Sequence, residues 1–115
     1  MDLMLLGETI QCDGAGQNNH GFWMPAGGND GVAGFEVFRV TTASVFTVHL
    51  ETKSSDQADS AATSIGNASV GSTTPANYKF DVTDAKDLVR YRLTSGGESV
   101  DAIHLQFAQP LWQPN

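Results

Sequence analysis

The chain contains a single cysteine, Cys12, so no disulfide can form within it. Stability must then come from packing or from assembly, and a reducing compartment is the simplest setting. Basic residues are also scarce, with six Lys and Arg against thirteen Asp and Glu, and they form no long run. Because binding to phosphate groups needs clustered Lys and Arg, this pattern argues against a nucleic-acid partner and an anionic membrane surface.

Long hydrophobic runs are missing too. The stretch from Met1 to Gly7 carries an acid where a signal peptide has basic residues, and its apolar part is too short for a membrane span. We therefore expect a protein that is made in the cytoplasm and does not associate with a membrane.

The composition that remains is typical of a β protein. A length of 115 residues corresponds to one domain. Charged residues make up only 17% of the chain while Gly, Ser and Thr are plentiful, which favours strands joined by many turns. We predict a single domain over residues 1–115, with an irregular glycine-rich segment at about 7–34 and a short tail at 109–115.

Period-two alternation of apolar and polar residues is the clearest structural signal, because it places every second side chain on one face of a strand. Between residues 45 and 52, Phe46, Val48 and Leu50 share one face while Thr47 and His49 share the other. Three further segments alternate in the same way and are predicted to bury Tyr78, Phe80 and Val82; Val89, Tyr91 and Leu93; and Ile103, Leu105 and Phe107.

The remaining segments are assigned from turn and strand propensities. Residues 34–41 are predicted to form the first arm of a hairpin with the strand that follows, and 62–70 a weak strand. Residues 83–87 suit one helical turn, and 95–98 a turn between strands. The segment at 7–34 is expected to be a long loop with at most one short strand. Six or seven short strands without an amphipathic helix predict an all-β fold, an antiparallel, jelly-roll-like β-sandwich, with an open barrel as the alternative.

Residues able to carry chemistry do not converge along the sequence. His20, His49 and His104 lie far apart and lack further ligands at metal-binding spacing. We expect surface imidazoles at positions 49 and 104, with a cross-strand pair as the alternative if their strands are neighbours. Loop acids such as Asp84 and Asp87 leave calcium as an alternative. With no nucleophile beside a base and no phosphate loop, we predict a protein that is not an enzyme and has no catalytic, cofactor or metal site.

Large apolar side chains in the irregular segments are the remaining candidates for function. They are Phe22, Trp23 and Met24, between glycine-rich runs, and Leu111 and Trp112, in a tail bracketed by prolines. Such residues either cap the core or face a partner, since Trp and Met are enriched at interface anchors. We predict that these five residues form a protein interface.

Three stretches carry a family resemblance: FTVHLETK at 46–53, VTDAKDLVRYRL at 82–93, and IHLQF at 103–107 followed by Pro110 and Trp112. In the pattern and order of their residues they resemble small β-sandwich capsid decoration, or cement, proteins of tailed bacteriophages. The likeness covers roughly the C-terminal two-thirds of the chain. It implies a virion subunit on the capsid surface that binds the major capsid protein, commonly as a homotrimer, and clamps neighbouring capsid proteins without a cofactor.

Two other functions are compatible with the same fold class. A carbohydrate-binding module would use Trp23, Trp112 or Tyr78 as a stacking platform for sugar rings. A tail or baseplate adaptor of a phage virion would share the other expectations.

Overall fold

Eleven strands make up most of the residues that the structure, a computed structural model, describes, which are 3–4, 9–13, 18–42, 45–96 and 102–113. A single 3-10 turn at Asp59–Ala61 is present, and the described ranges contain no α-helix. The strands are β1 Leu3–Met4, β2 Thr9–Asp13, β3 Asn18–Gly21, β4 Met24–Pro25, β5 Gly31–Val40, β6 Phe46–Lys53, β7 Thr63–Ser69, β8 Ala76–Val82, β9 Leu88–Ser95, β10 Ala102–Phe107 and β11 Leu111–Trp112.

The strands form two sheets. In the first sheet the order is β1-β3-β9-β6-β7, and β4 pairs with β9 beyond the end of β3. In the second sheet the order is β11-β5-β10-β2, and β8 pairs with the other edge of β5. All pairs are antiparallel except β1 with β3. The predicted antiparallel sandwich is confirmed.

Pairing between the strands is nested along the chain. β6 pairs with β7, β5 with β8, β3 and β4 with β9, and β2 with β10. The chain is thus folded back on itself at the β6–β7 connection, and the resulting double ribbon is wrapped so that successive pairs alternate between sheets. This is the strand order of a jelly roll.

Alternation in the sequence places most of the core correctly, although Tyr78, which was predicted to be buried, is only half-buried against the core. The inward residues Phe46, Val48 and Leu50 are fully buried, as are Val89 and Leu93 on β9. Burial of this kind stabilises by roughly 1.5–3 kcal/mol for each large apolar side chain. The second sheet contributes Ala33, Phe35, Val37, Val40, Phe80, Val82, Ile103, Leu105 and Phe107 to the same cluster.

The predicted hairpin between the segment at 34–41 and the next strand is wrong. β5 lies in the second sheet and β6 in the first, so the connection crosses the sandwich. Likewise β9 and β10, which flank the predicted turn at 95–98, lie in different sheets; residues 97 and 98 are outside the described part of the chain. The physical reason is the nested pairing, which assigns each strand a partner remote in sequence and leaves only β6 and β7 as a hairpin among the main strands.

Two local predictions also need correction. The glycine-rich segment at about 7–34 contains β2, β3, β4 and the start of β5, although its residues 7–8 and 14–17 lie outside the described part. Residues 83–87 form no helical turn, because Asp84 has a left-handed φ of 61° and its N–H donates to Asp30 Oδ1 at 3.2 Å.

The weak strand predicted at 62–70 is present as β7. Within the described ranges, no helix is long and apolar enough to cross a membrane.

Candidate functional site

Trp23 lies over the outer face of the first sheet, in the break between β3 and β4. Its indole ring is covered by two cations, with the Arg90 guanidinium carbon 4.3 Å and Lys53 Nζ 4.9 Å from the ring centroid. The indole N–H donates to Asp59 Oδ1 at 3.1 Å. Cation–π contacts contribute about 0.5–2 kcal/mol each, depending on desolvation. Trp23 is therefore fixed in place by contacts within its own chain.

Beneath Trp23, the outward side chains of β6 and β9 form a cluster of charges. Arg90 Nε donates to Glu51 Oε1 at 3.0 Å, and Lys53 Nζ donates to Asp59 Oδ1 at 2.8 Å. Arg92 Nε lies 3.2 Å from Glu51 Oε2 but is not oriented to hydrogen-bond, so that contact is purely electrostatic. We call Trp23, Glu51, Lys53, Asp59, Arg90 and Arg92 the Trp23 cluster.

Burial makes this cluster unusual for the outer face of a sheet. The side chains of Glu51 and Lys53 are only 7% and 9% exposed, whereas that of Asp59 is 64% exposed. The hydrogen bond from Lys53 holds the pKa of the Asp59 carboxyl below its usual value. Buried charges are tolerated when they are paired, and here each buried acid or base has an opposite partner. The cluster also uses three of the six basic residues of the chain, so the remaining surface is more acidic than the composition suggests.

His49 lies beside the Trp23 cluster on the same face. Its Nδ1 is 3.3 Å from Ser64 Oγ, and its Nε2 is 3.5 Å from Thr94 Oγ1. Burial is the main cause that lowers the pKa of His49, and the positive charge of Arg92 lowers it further. The negative charge of Glu51 acts in the opposite direction and raises it in part. The expected surface imidazole is therefore half-buried. The alternative of a His49–His104 pair is excluded, because β6 and β10 belong to different sheets.

Phe22 and Met24 flank Trp23 but differ in environment. The Phe22 side chain is 51% exposed, one of the two large apolar residues exposed to this degree in the described part of the chain. Met24, on β4, is half-buried and packs against the core. Of the three predicted interface residues in this segment, Phe22 is the one that the structure presents to solvent.

Leu111 and Trp112 lie on β11, in the second sheet. Trp112 is half-buried against the core, and a Cβ added at Gly27 would lie 2.5 Å from its Cδ1, so the ring needs glycine there. Leu111 is 74% exposed. The five predicted interface residues are thus divided between the two sheets rather than gathered in one patch.

A groove of about 570 Å³ runs across the outer face of the second sheet beside Leu111. We call it the Gly34 groove, because Gly34 on β5 lies between its walls. The walls come from β8, the end of β10 and β11. Sequence reasoning missed this groove, since its residues belong to strands distant along the chain; the two glycines of β5, Gly31 and Gly34, were the only local signal.

Tyr91 supports the groove from below. It rises from β9 across the core, stacks on Phe107 at 4.6 Å between centroids, and donates its hydroxyl to the Ala108 carbonyl at 2.6 Å. The same hydroxyl accepts the Gly34 N–H at 3.2 Å. It thereby fills the interruption in the sheet between β10 and β11. Burial raises the pKa of Tyr91 to about 12.

The aromatic rings considered as a sugar platform each make contacts within the chain. Trp23 carries Arg90 and Lys53, Trp112 packs against Gly27, and the Tyr78 ring stacks on Phe35 at 5.1 Å. Three separated rings with occupied faces do not form a continuous stacking surface.

Metal-ligating residues are not gathered in the part of the chain that the structure describes: no group of three or more His, Cys, Asp or Glu side chains is placed to hold an ion there. The loop acids act locally instead. Asp87 Oδ2 accepts the Ser55 N–H at 3.0 Å, and the hydrogen bonds from Ser55 lower the pKa of the Asp87 carboxyl.

No protein-family model, no curated protein and no solved structure matches this chain. The functional assignment therefore depends on two surfaces. One is the exposed side chain of Phe22 next to the Trp23 cluster, which we call the Phe22 surface, and the other is the Gly34 groove.

Proposed function

We propose that this protein is a non-enzymatic structural subunit of a virion, a capsid decoration protein that binds the outer surface of a tailed-phage head. Its partner is the major capsid protein, and its role is to stabilise contacts between neighbouring capsid subunits. The observation that carries the proposal is the exposed Phe22, 51% accessible and attached to the rigid Trp23 cluster. The stretches that resemble decoration proteins form β6, β9 and β10 of the jelly roll.

Rigidity is what makes Phe22 suitable as an anchor. Its neighbour Trp23 is fixed by Arg90, Lys53 and Asp59, so the backbone that carries Phe22 has little freedom left to lose on docking. Affinity increases when the binding residue is already ordered. Phe22 also precedes the charged Trp23 cluster directly along the chain, and an apolar centre with a polar rim is the usual arrangement of an interface.

A trimeric subunit would present three copies of this anchor to a threefold position on the shell. Linked copies increase the overall affinity without new contacts. The net charge of −7 would keep free subunits soluble until they bind.

Co-sedimentation tests this function. Purified protein is mixed with empty shells assembled from the major capsid protein of the same genome, and bound protein is measured after centrifugation. Wild type should saturate the shells, and Phe22→Ala should weaken binding at least tenfold, the effect of about 1.4 kcal/mol.

Phe38→Ala is the matched control, because Phe38 is a half-buried phenylalanine on the second sheet, with its ring tilted against that of His104 at 5.3 Å between centroids. It should bind shells as wild type does. If Phe22→Ala and Phe38→Ala lost shell binding equally, Phe22 would not be the anchor of the interface. A genome that encodes no major capsid protein, or shells that bind none of the wild type, would contradict the function itself.

A further inference from the structure

Four polar side chains of the Gly34 groove have no partner among the residues that the structure describes. Glu36, Asn77, Lys79 and Gln109 line it and are exposed, and none of them makes a hydrogen bond or ion pair with another described residue. Asn77 lies opposite Glu36, and Lys79 opposite Gly34, in the β5–β8 register. Neighbouring strands are about 4.8 Å apart, so these groups lie within reach of one ligand.

Charge in the groove is balanced, in contrast to the rest of the chain. One carboxylate, Glu36, and one ammonium group, Lys79, accompany amides that each donate and accept. A net charge of zero favours a neutral ligand over an ionic one. Because each hydroxyl group both donates and accepts, amide and carboxylate side chains suit a ligand rich in hydroxyls.

Apolar side chains form the other wall. Leu111, 74% exposed, and the half-buried Val32 lie beside the exposed Ala108. A volume of about 570 Å³ falls within the usual range for sites that hold small molecules. Apolar and hydrogen-bonding walls facing each other match the C–H and hydroxyl surfaces of a sugar ring.

Backbone pairing rules out an added peptide strand at this place. Ala108 N–H donates to the Gly34 carbonyl at 3.0 Å, and the Ala108 carbonyl accepts the Tyr91 hydroxyl. The Gly34 N–H is bound by the same hydroxyl. Strand addition needs unpaired backbone groups, and these are satisfied.

We propose that the Gly34 groove is a binding site for a neutral saccharide. Glu36, Asn77 and Gln109 hydrogen-bond its hydroxyls, and Leu111 packs against the apolar face of a ring. Tyr91 positions the floor by holding Gly34 and Ala108 in place. The site is independent of the Phe22 surface, which lies on the other sheet.

Nuclear magnetic resonance titration tests the proposal with maltohexaose, cellohexaose, mannohexaose and chitohexaose as neutral probes and oligogalacturonate as the acidic comparison. At least one neutral probe should shift the Gly34 amide and the side-chain amides of Asn77 and Gln109, with a dissociation constant of about 1 mM or tighter. Oligogalacturonate should shift them less.

Ala108→Trp fills the groove while leaving both backbone bonds of residue 108 intact, and it should weaken binding at least tenfold. Gln109→Ala, an exposed truncation, should weaken it about fivefold, consistent with one lost hydrogen bond. Phe22→Ala should bind the sugar unchanged even if it no longer binds shells, which separates this site from the proposed capsid contact. Absence of shifts with all four neutral probes, or shifts that survive Ala108→Trp, would overturn the proposal.

Discussion

Replacing Tyr91 by Phe removes one hydroxyl from the centre of the sandwich and leaves the ring in place. The ring keeps its stacking on Phe107, but Gly34 N–H and the Ala108 carbonyl lose the partner they share. Leaving a buried polar group unsatisfied costs about 1–3 kcal/mol. With two groups affected and both near the surface of the sheet, we expect Tyr91→Phe to lower the free energy of unfolding by about 2–3 kcal/mol.

The raised pKa of Tyr91 makes folding stability depend on pH, because burial disfavours the ionised phenolate in the folded protein. It is raised from 10.0 to about 12, and two pKa units correspond to about 2.7 kcal/mol between the protonation states. Because the folded-state pKa is the higher one, this stability is fully present below pH 10 and is lost as the pH rises towards 12. The advantage of wild type over Tyr91→Phe should therefore shrink across that interval.

Urea denaturation at neutral pH and at several alkaline pH values measures both effects. Tyr78→Phe is the matched control, since the Tyr78 hydroxyl accepts only the exposed Gly71 N–H at 3.1 Å, and it should cost less than about 1 kcal/mol. If Tyr91→Phe unfolds at the same urea concentration as wild type, the hydroxyl does not hold the two sheets together as described.

Two predictions concern the charges on the first sheet. Glu51→Ala should cost about 3 kcal/mol, because it leaves Arg90 and Arg92 partly buried without their shared anion; an unchanged urea midpoint would show that the cluster is solvated. His49 has a pKa below its usual 6.5, so the unfolded chain takes up its proton first and stability should fall as the pH drops below 6.5. His49→Gln should flatten that part of the stability profile, and an equal slope in both proteins would assign the pH dependence to other groups.

Strands with clear local alternation, and their buried faces, were predictable, whereas β2, β3 and β4 in the glycine-rich segment at 7–34 were not. The residues Phe46, Val48 and Leu50 face the core as their spacing requires, and so do Ile103 and Leu105. Strand pairing was not predictable in the same way. A short connection between β5 and β6 is compatible with a hairpin, and only partners from distant parts of the chain reveal that each strand belongs to a different sheet.

The functional surfaces were predictable only in part. Phe22 and Leu111 are exposed, as an interface requires, but Trp112 is held against Gly27, and Trp23 is held by charges on two other strands. Alternation identifies Arg90 as outward-facing and cannot show that Trp23, 67 positions earlier along the sequence, covers it. Long-range contacts of this kind leave no periodic signal.

The most direct test of the proposed role is binding to empty shells assembled from the major capsid protein that the same genome encodes. The molar mass of the purified protein in solution is first measured by light scattering. The protein is then titrated onto empty shells, and the bound mass is measured after sedimentation. A trimer that saturates the shells at a fixed ratio to the major capsid protein is the predicted result. A monomer that stays in the supernatant at every ratio would contradict the decoration role.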